Sequence, residues 1–231
     1  MKLLALDTSS LACSVALLLG DDIIERHEEQ PREHTRLLVP MINEVLAEGD
    51  ISSADLDGIV LGNGPGSFIG MRIATSVAQG MAFAAGIKVV PVSSLLAVAA
   101  ETMAAEGAEY VAVCQDAHMN EVYLGLYRAG LRGLPALVKA ERLHEQTTIA
   151  ELQESPDSYV SAGFGWQRYP ALLEANEPLL ASRSSVLHPS ARHLLPAGAE
   201  FMTSGAAVEP QDVIPAYLRQ TVAARPGAKS P

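Results

Sequence analysis

Two segments of the chain combine residue types and spacing suited to holding an anion. The first is Asp7-Thr8-Ser9-Ser10, a carboxylate and three small hydroxyl residues between two apolar runs. A tight turn there directs amides and hydroxyls at a common point, which makes an anion-binding nest. The same residues also make an ordinary side-chain-stabilised turn between two strands. The second segment is Gly62-Asn63-Gly64-Pro65-Gly66-Ser67, which leaves an apolar stretch and opens a helical pattern. A helix start of that kind points backbone amides at an anion. It lacks the Lys-Ser/Thr of a Walker A loop, and Ser67 stands where GxGxxG needs its third glycine. Gly62, Gly64 and Gly66 are equally what a structural turn would require. Asp116 repeats the arrangement of Asp7: an apolar run, a carboxylate, a turn and a returning run.

Other chemistries find no support. His188 and His193 are five apart and His27 and His34 seven apart, so neither pair has the i, i+4 spacing of a helical metal site. The convergent ligands a metal needs are missing. His34 reads as a capping or surface residue, and His118 lies in the turn after Asp116. Cys13 and Cys114 sit far apart in apolar stretches, outside any CxxC, and read as buried reduced thiols. No GxSxG elbow surrounds Ser9, Ser67 or Ser93, which argues against serine catalysis.

The elements that position these residues follow from periodicity. Residues 2–7, 14–19 and 22–28 read as strands. Glu33 to Glu48 reads as a helix, with Leu37, Leu38, Met41, Ile42, Val45 and Leu46 at helical spacing and Pro40 expected to kink it or remove one backbone bond. A strand at 59–61, a helix from Phe68 to Ala85 stopped by Gly86, a strand at 88–92 and a helix at 94–105 follow. Strands at 110–115, 121–128 and 137–142 open the second half in the same order. A further strand is expected at 159–162 and a helix at 190–202, divided at Pro196. The expected fold is α/β: two related lobes of mixed sheet flanked by helices. The boundaries are 1–106 for an N-terminal lobe, 107–222 for a reduced C-terminal lobe and 223–231 for a flexible tail.

Of 231 residues, 27 are acidic and 16 are Lys or Arg, a formal charge of -11 with no basic cluster. Nucleic-acid binding by this chain alone is disfavoured, because phosphates must be neutralised by cations. Asp7 interrupts the first apolar run, and no run reaches the length of a membrane span. The sequence reading is a cytoplasmic protein.

The segments LALDTSSLACSVALL, EHTRLLVPMINEVL, GNGPGSFIGMRIATSVAQGMAFA, VVPVSSLLAVA, QDAHMNEVYLGLY and IPAYLR occur in the order seen in the TsaB (YeaZ) family, and the chain resembles that family over most of residues 1–128 plus 214–219. The resemblance implies an actin-like ATPase fold. In that superfamily the first hairpin meets nucleotide phosphates and its Asp orients metal-bound water. Asp7, Thr8, Ser9, Ser10, Gly62, Gly64, Gly66, Ser67 and Asp116 are thus candidates for a vestigial phosphate site. The related enzyme TsaD, which transfers threonylcarbamoyl to adenosine in tRNA, carries a His-x-x-x-His metal pair where this chain reads Val90-Pro91-Val92-Ser93-Ser94-Leu95-Leu96-Ala97. Catalysis is therefore not expected. No cofactor is expected beyond weak or vestigial nucleotide binding.

What the resemblance implies instead is a scaffold subunit for threonylcarbamoylation at position 37 of tRNA. Its partners would be TsaD, TsaE and a second copy of itself, with tRNA met only through the complex. The first two helices would carry both protein contacts, with Leu38, Met41, Ile42, Val45, Met71, Ala74 and Ala78 as interface candidates. A small-molecule kinase or ATPase of the actin-like superfamily is the rival reading, and a metallopeptidase a weaker one.

Overall fold

The computed structural model describes residues 1–155 and 157–219; the tail expected at 223–231 lies outside them. Strands β1 (Lys2–Asp7), β2 (Cys13–Leu19) and β3 (Asp22–Glu28) form an antiparallel meander. Helix α1 (His34–Glu48) then crosses to β4 (Gly58–Gly62), which pairs parallel to β1. Helix α2 (Phe68–Ala85) leads to β5 (Lys88–Val92), parallel to β4. The sheet order is β3-β2-β1-β4-β5. Helix α3 (Ser94–Glu106) leaves this sheet for the second one.

The second half repeats that plan. Strands β6 (Tyr110–Asp116), β7 (Glu121–Ala129) and β8 (Pro135–Glu145) form the meander. Short helix α4 (Ala150–Glu154) precedes β9 (Tyr159–Ala162), parallel to β6. Helices α5 (Phe164–Arg168) and α6 (Pro170–Asn176) precede β10 (Leu180–Arg183), parallel to β9. The order β10-β9-β6-β7-β8 is the first sheet's order element for element. This is the two-lobe, actin-like α/β architecture.

Period-two alternation in β1 divides the first core. Leu4 and Leu6 face α1 and α2, meeting Leu38, Met41, Ile42, Val45, Ala74 and Ala78. Leu3 and Ala5 face the opposite side, against Ala97, Ala191, Leu194 and Ala197. Small residues on α2 let that helix lie close on the sheet. Helix α3 is wedged between the lobes: Leu95, Val98 and Ala99 pack with Val111, Val113 and Tyr127 of the second sheet.

Two boundaries differ from expectation. Residues 190–202 form a 3₁₀ turn, Ala191–Leu194, then helix α7 (Leu195–Thr203), so the break falls before Pro196. This segment packs on the first sheet, and Val208 bridges to Val89. Residues 191–213 thus belong to the first lobe, not to a second lobe running on to 222. Helix α1 continues through Pro40 without interruption.

Candidate functional site

The β1–β2 turn and the glycine loop are stitched into one unit. Ser67 N donates to Ser9 O at 2.6 Å, and Thr8 Oγ1 donates to the Gly70 carbonyl at 2.6 Å. The approach requires glycine: a Cβ at Gly66 would lie 2.2 Å from Ser9 O, and one at Gly70 1.9 Å from Thr8 O. On the other side, Gly64 N donates to Ser94 Oγ at 3.1 Å while Ser94 N donates to Gly64 O at 2.8 Å.

Asp7 sits at the centre and is fully buried. Its Oδ1 accepts from Ser9 N and Ser9 Oγ, each at 2.8 Å, and its Oδ2 accepts from Ser94 Oγ at 2.6 Å. A Cβ at Gly62 would fall 2.0 Å from Oδ2, so the strand backbone closes the remaining side. Desolvation raises its pKa to about 6, against the lowering effect of the Ser94 and Ser9 hydrogen bonds. Both oxygens are engaged by protein donors, and Asp7 does not line the cleft. Ser94 is what sequence reading missed; its signal was its place among the residues standing where TsaD has its histidine pair. Its neighbour Ser93 caps α3, accepting from Leu95 N and Leu96 N, and donates to Glu141 together with Tyr127. The residues at that position hold the loop, the helix and the second sheet together and offer no imidazole to a metal.

A cleft of about 920 Å³ opens between the lobes. Ser9, Ser10 and Ser67 line it from one lobe, and Asp116, His118 and Phe164 from the other. Ser9, Ser10, Ser67 and Asp116 thus line one cleft, whereas Asp7 and Thr8 are fully buried and do not. Asp116 Oδ1 accepts from His118 N at 2.7 Å and from Tyr169 OH at 2.6 Å. His118, Met119 and Asn120 all have positive φ, the left-handed conformation of a tight hairpin turn. His34 and His188 also line the cleft, and burial holds both imidazoles below the usual histidine pKa. His34 is buried and faces Ser10 O through Nε2 at 3.1 Å, neither capping nor exposed as expected. Among the described residues no group of three or more His, Cys, Asp or Glu side chains is placed to hold a metal ion.

The seven expected interface residues are all inside the first lobe. Leu38, Met41, Ile42, Val45, Met71, Ala74 and Ala78 are at most 4 % exposed. An amphipathic helix turns its dominant apolar stripe to its own sheet, so that stripe could not have marked a partner surface. A charge at Met41 or Met71 would be buried in the core without a partner, at a cost to stability. The outer face of α1 and α2 carries other residues: Val39, Phe68 and Ile69 are 48, 40 and 69 % exposed. They border an apolar groove of about 400 Å³ between the two helices, lined also by Thr35, Leu38 and Ile73.

Residues 213–219 run beside this face as a strap between the lobes. Ala216 N donates to Asn63 O at 3.0 Å, and Asn63 Nδ2 donates to Ile214 O at 3.0 Å. Arg72 Nε donates to Tyr217 OH at 3.0 Å. At the far end Arg219 Nη2 pairs with Glu121 at 2.5 Å and donates to Ala117 O at 3.0 Å.

Comparison with known proteins agrees with this architecture. A family model described as "TsaD: tRNA N6-adenosine threonylcarbamoyltransferase" matches residues 23–223. The tRNA threonylcarbamoyladenosine biosynthesis protein TsaB of Escherichia coli is 34 % identical over 229 residues, 96 % of each chain. Its Haemophilus influenzae counterpart is 33 % identical, covering 96 % of this chain and 95 % of that one. A solved structure described as YeaZ from Pseudomonas aeruginosa superposes with a TM-score of 0.84 at 35 % identity, covering 94 % of this chain and 99 % of that one. With near-full-length identity to TsaB proteins and the same fold as YeaZ, the chain belongs to the TsaB (YeaZ) family, within the broader family described by the TsaD model.

Proposed function

We propose that this chain acts in the formation of N6-threonylcarbamoyladenosine at position 37 of tRNA, as a non-catalytic cytoplasmic subunit that holds TsaD in an active arrangement, with TsaE joining the assembly. Involvement in this modification rests on the TsaB relatives. The scaffold role rests on one observation above the others: the carboxylate that should serve a nucleotide's metal is buried and engaged on both oxygens, by Ser9 and by Ser94. The partly apolar outer face of α1 and α2 supplies the docking surface, to which TsaD and a second copy bind in competition. The first and second lobes are those of the two sheets, with tRNA met only through the complex.

The test is Ile69→Glu, at a position exposed enough to leave folding unchanged. A glutamate buried unpaired at an interface costs roughly 3–5 kcal/mol, so the variant should keep its melting temperature and lose both the TsaD complex and the homodimer. Retention of both would place docking elsewhere.

The inter-lobe cleft lined by Ser9, Ser10, Ser67 and Asp116 favours a second, subordinate reading, weak nucleotide binding without turnover. ATP titration with magnesium tests it. Steady hydrolysis abolished by Asp7→Ala would promote the kinase reading over the scaffold.

A further inference from the structure

The outer face of α1 and α2 holds one cation in a prepared position. The Arg72 guanidinium carbon lies 3.7 Å from the centroid of the Phe68 ring and 5.8 Å from that of Tyr217. The two rings are 5.6 Å apart, and Tyr217 OH accepts from Arg72 Nε at 3.0 Å. One nitrogen is thereby anchored while stacking fixes the plane of the fork. The guanidinium is pre-organised, so little rotamer freedom remains to be lost on binding.

Among the described residues no carboxylate pairs with it. Helix α2 contains no acidic residue. On α1, Glu44 and Glu48 are both paired with Arg26 at 3.1 and 2.5 Å, and Glu33 beside its first turn is paired with Arg36 at 2.5 Å. The groove beside Arg72 is lined by apolar and hydroxyl side chains only, Arg72 itself excepted. In a chain of net charge -11, an arginine held away from the local acids is available to one from elsewhere.

We infer that Arg72 selects the partner: the protein docked on this face presents a carboxylate to the Phe68–Arg72–Tyr217 cradle, and a second copy of this chain does not. The inference rests on the docking face proposed above and names the chemistry of its occupant. A two-fold pairing uses the same patch twice. It would therefore set Arg72 against helices whose acids, Glu33, Glu44 and Glu48, already pair with Arg36 and Arg26. A partner with one acidic residue at that point gains a planar, two-point ion pair. Competition between self-association and complex formation is thus biased toward the complex.

The experiment compares Arg72→Gln, Arg72→Lys and Ile69→Glu, each first shown to melt like the parent. Affinity for TsaD is measured by calorimetry at two salt concentrations, and self-association by sedimentation. Arg72→Gln should weaken the TsaD complex about tenfold or more and flatten its salt dependence, while leaving self-association unchanged or undetectable as before. Arg72→Lys, keeping charge without the fork, should fall between. Equal weakening of both associations by Arg72→Gln, or weakening of neither, overturns the inference. Ile69→Glu separates the levels. If it abolishes the complex while Arg72→Gln does nothing, the face stands and the carboxylate is refuted; if it abolishes nothing, the face itself is refuted.

Discussion

Ser94 Oγ reaches Asp7 Oδ2 at 2.6 Å across 87 positions of sequence. The contact joins the end of β1 to the start of α3. With Ser9 on Oδ1, it leaves neither oxygen of the carboxylate without a protein donor.

A pH dependence follows from the burial of Asp7. Its pKa is raised from 3.8 to about 6 by desolvation. Below pH 4 folded and unfolded forms are both protonated and no penalty exists. Between pH 4 and pH 6 the unfolded form ionises first, so stability falls as pH rises, and above pH 6 the penalty is constant. A shift of about two units corresponds to about 3 kcal/mol. Urea unfolding from pH 4 to pH 8 should show Asp7→Asn gaining on the parent by that order across this window. A constant difference between the two would show that Asp7 does not titrate as its burial implies.

Two glycines of α2 should respond in opposite directions to alanine. At Gly70 the new methyl meets Thr8 O, so Gly70→Ala should cost about 3 kcal/mol or more through backbone displacement. At Gly80 nothing lies within 4 Å, and Gly80→Ala should stabilise by about 1 kcal/mol through helix propensity alone. Thermal melts of the two variants check both signs.

The strap's terminal ion pair should outweigh a surface pair. Arg219 and Glu121 have side-chain exposures of 16 and 27 %, and Arg219 also serves the Ala117 carbonyl. Arg219→Gln should therefore cost about 1–3 kcal/mol. Arg132 and Glu200, 77 and 41 % exposed, form the control: Arg132→Gln should change stability by less than about 1 kcal/mol. Equal effects in denaturant titrations would mean that the strap contributes nothing beyond ordinary surface charge.

The isolated protein should not retard tRNA at physiological salt. Its charge of -11 provides little counterion release. A gel-shift series with and without TsaD should show retardation only when TsaD is present. Sub-micromolar binding by this chain alone, with a steep salt slope, would reveal a polarised basic face in the fold.

The sheet plan was legible because β1, β2, β4 and β6 are apolar runs ended by turn residues, and because Asp7 and Asp116 close equivalent strands. The glycine loop was legible because close approach of Ser9 and Thr8 excludes any Cβ at Gly66 and Gly70. The exposed side of α1 and α2 was not legible for a physical reason. Periodicity finds the strongest apolar stripe, and on these helices that stripe is the core. Val39 and Ile69, apolar residues off the stripe, are the ones left exposed. Between residues 146 and 190 the helices have five to seven residues and β10 is mostly exposed, too little for a period to register. The return of 191–213 to the first sheet is a matter of chain routing, which local pattern does not encode.

The two sheets share one strand order, but their crossovers have diverged in length. Between the meander and the last strand, the first lobe carries helices of 15 and 18 residues. The second carries helices of five, five and seven at the corresponding places. A repeat with equal helices would present two equivalent helical faces, and chains joined face to face through them could extend into filaments. With one face reduced, a molecule that paired through the α1–α2 face would have no equivalent face left to offer, and growth through it would stop at two bodies.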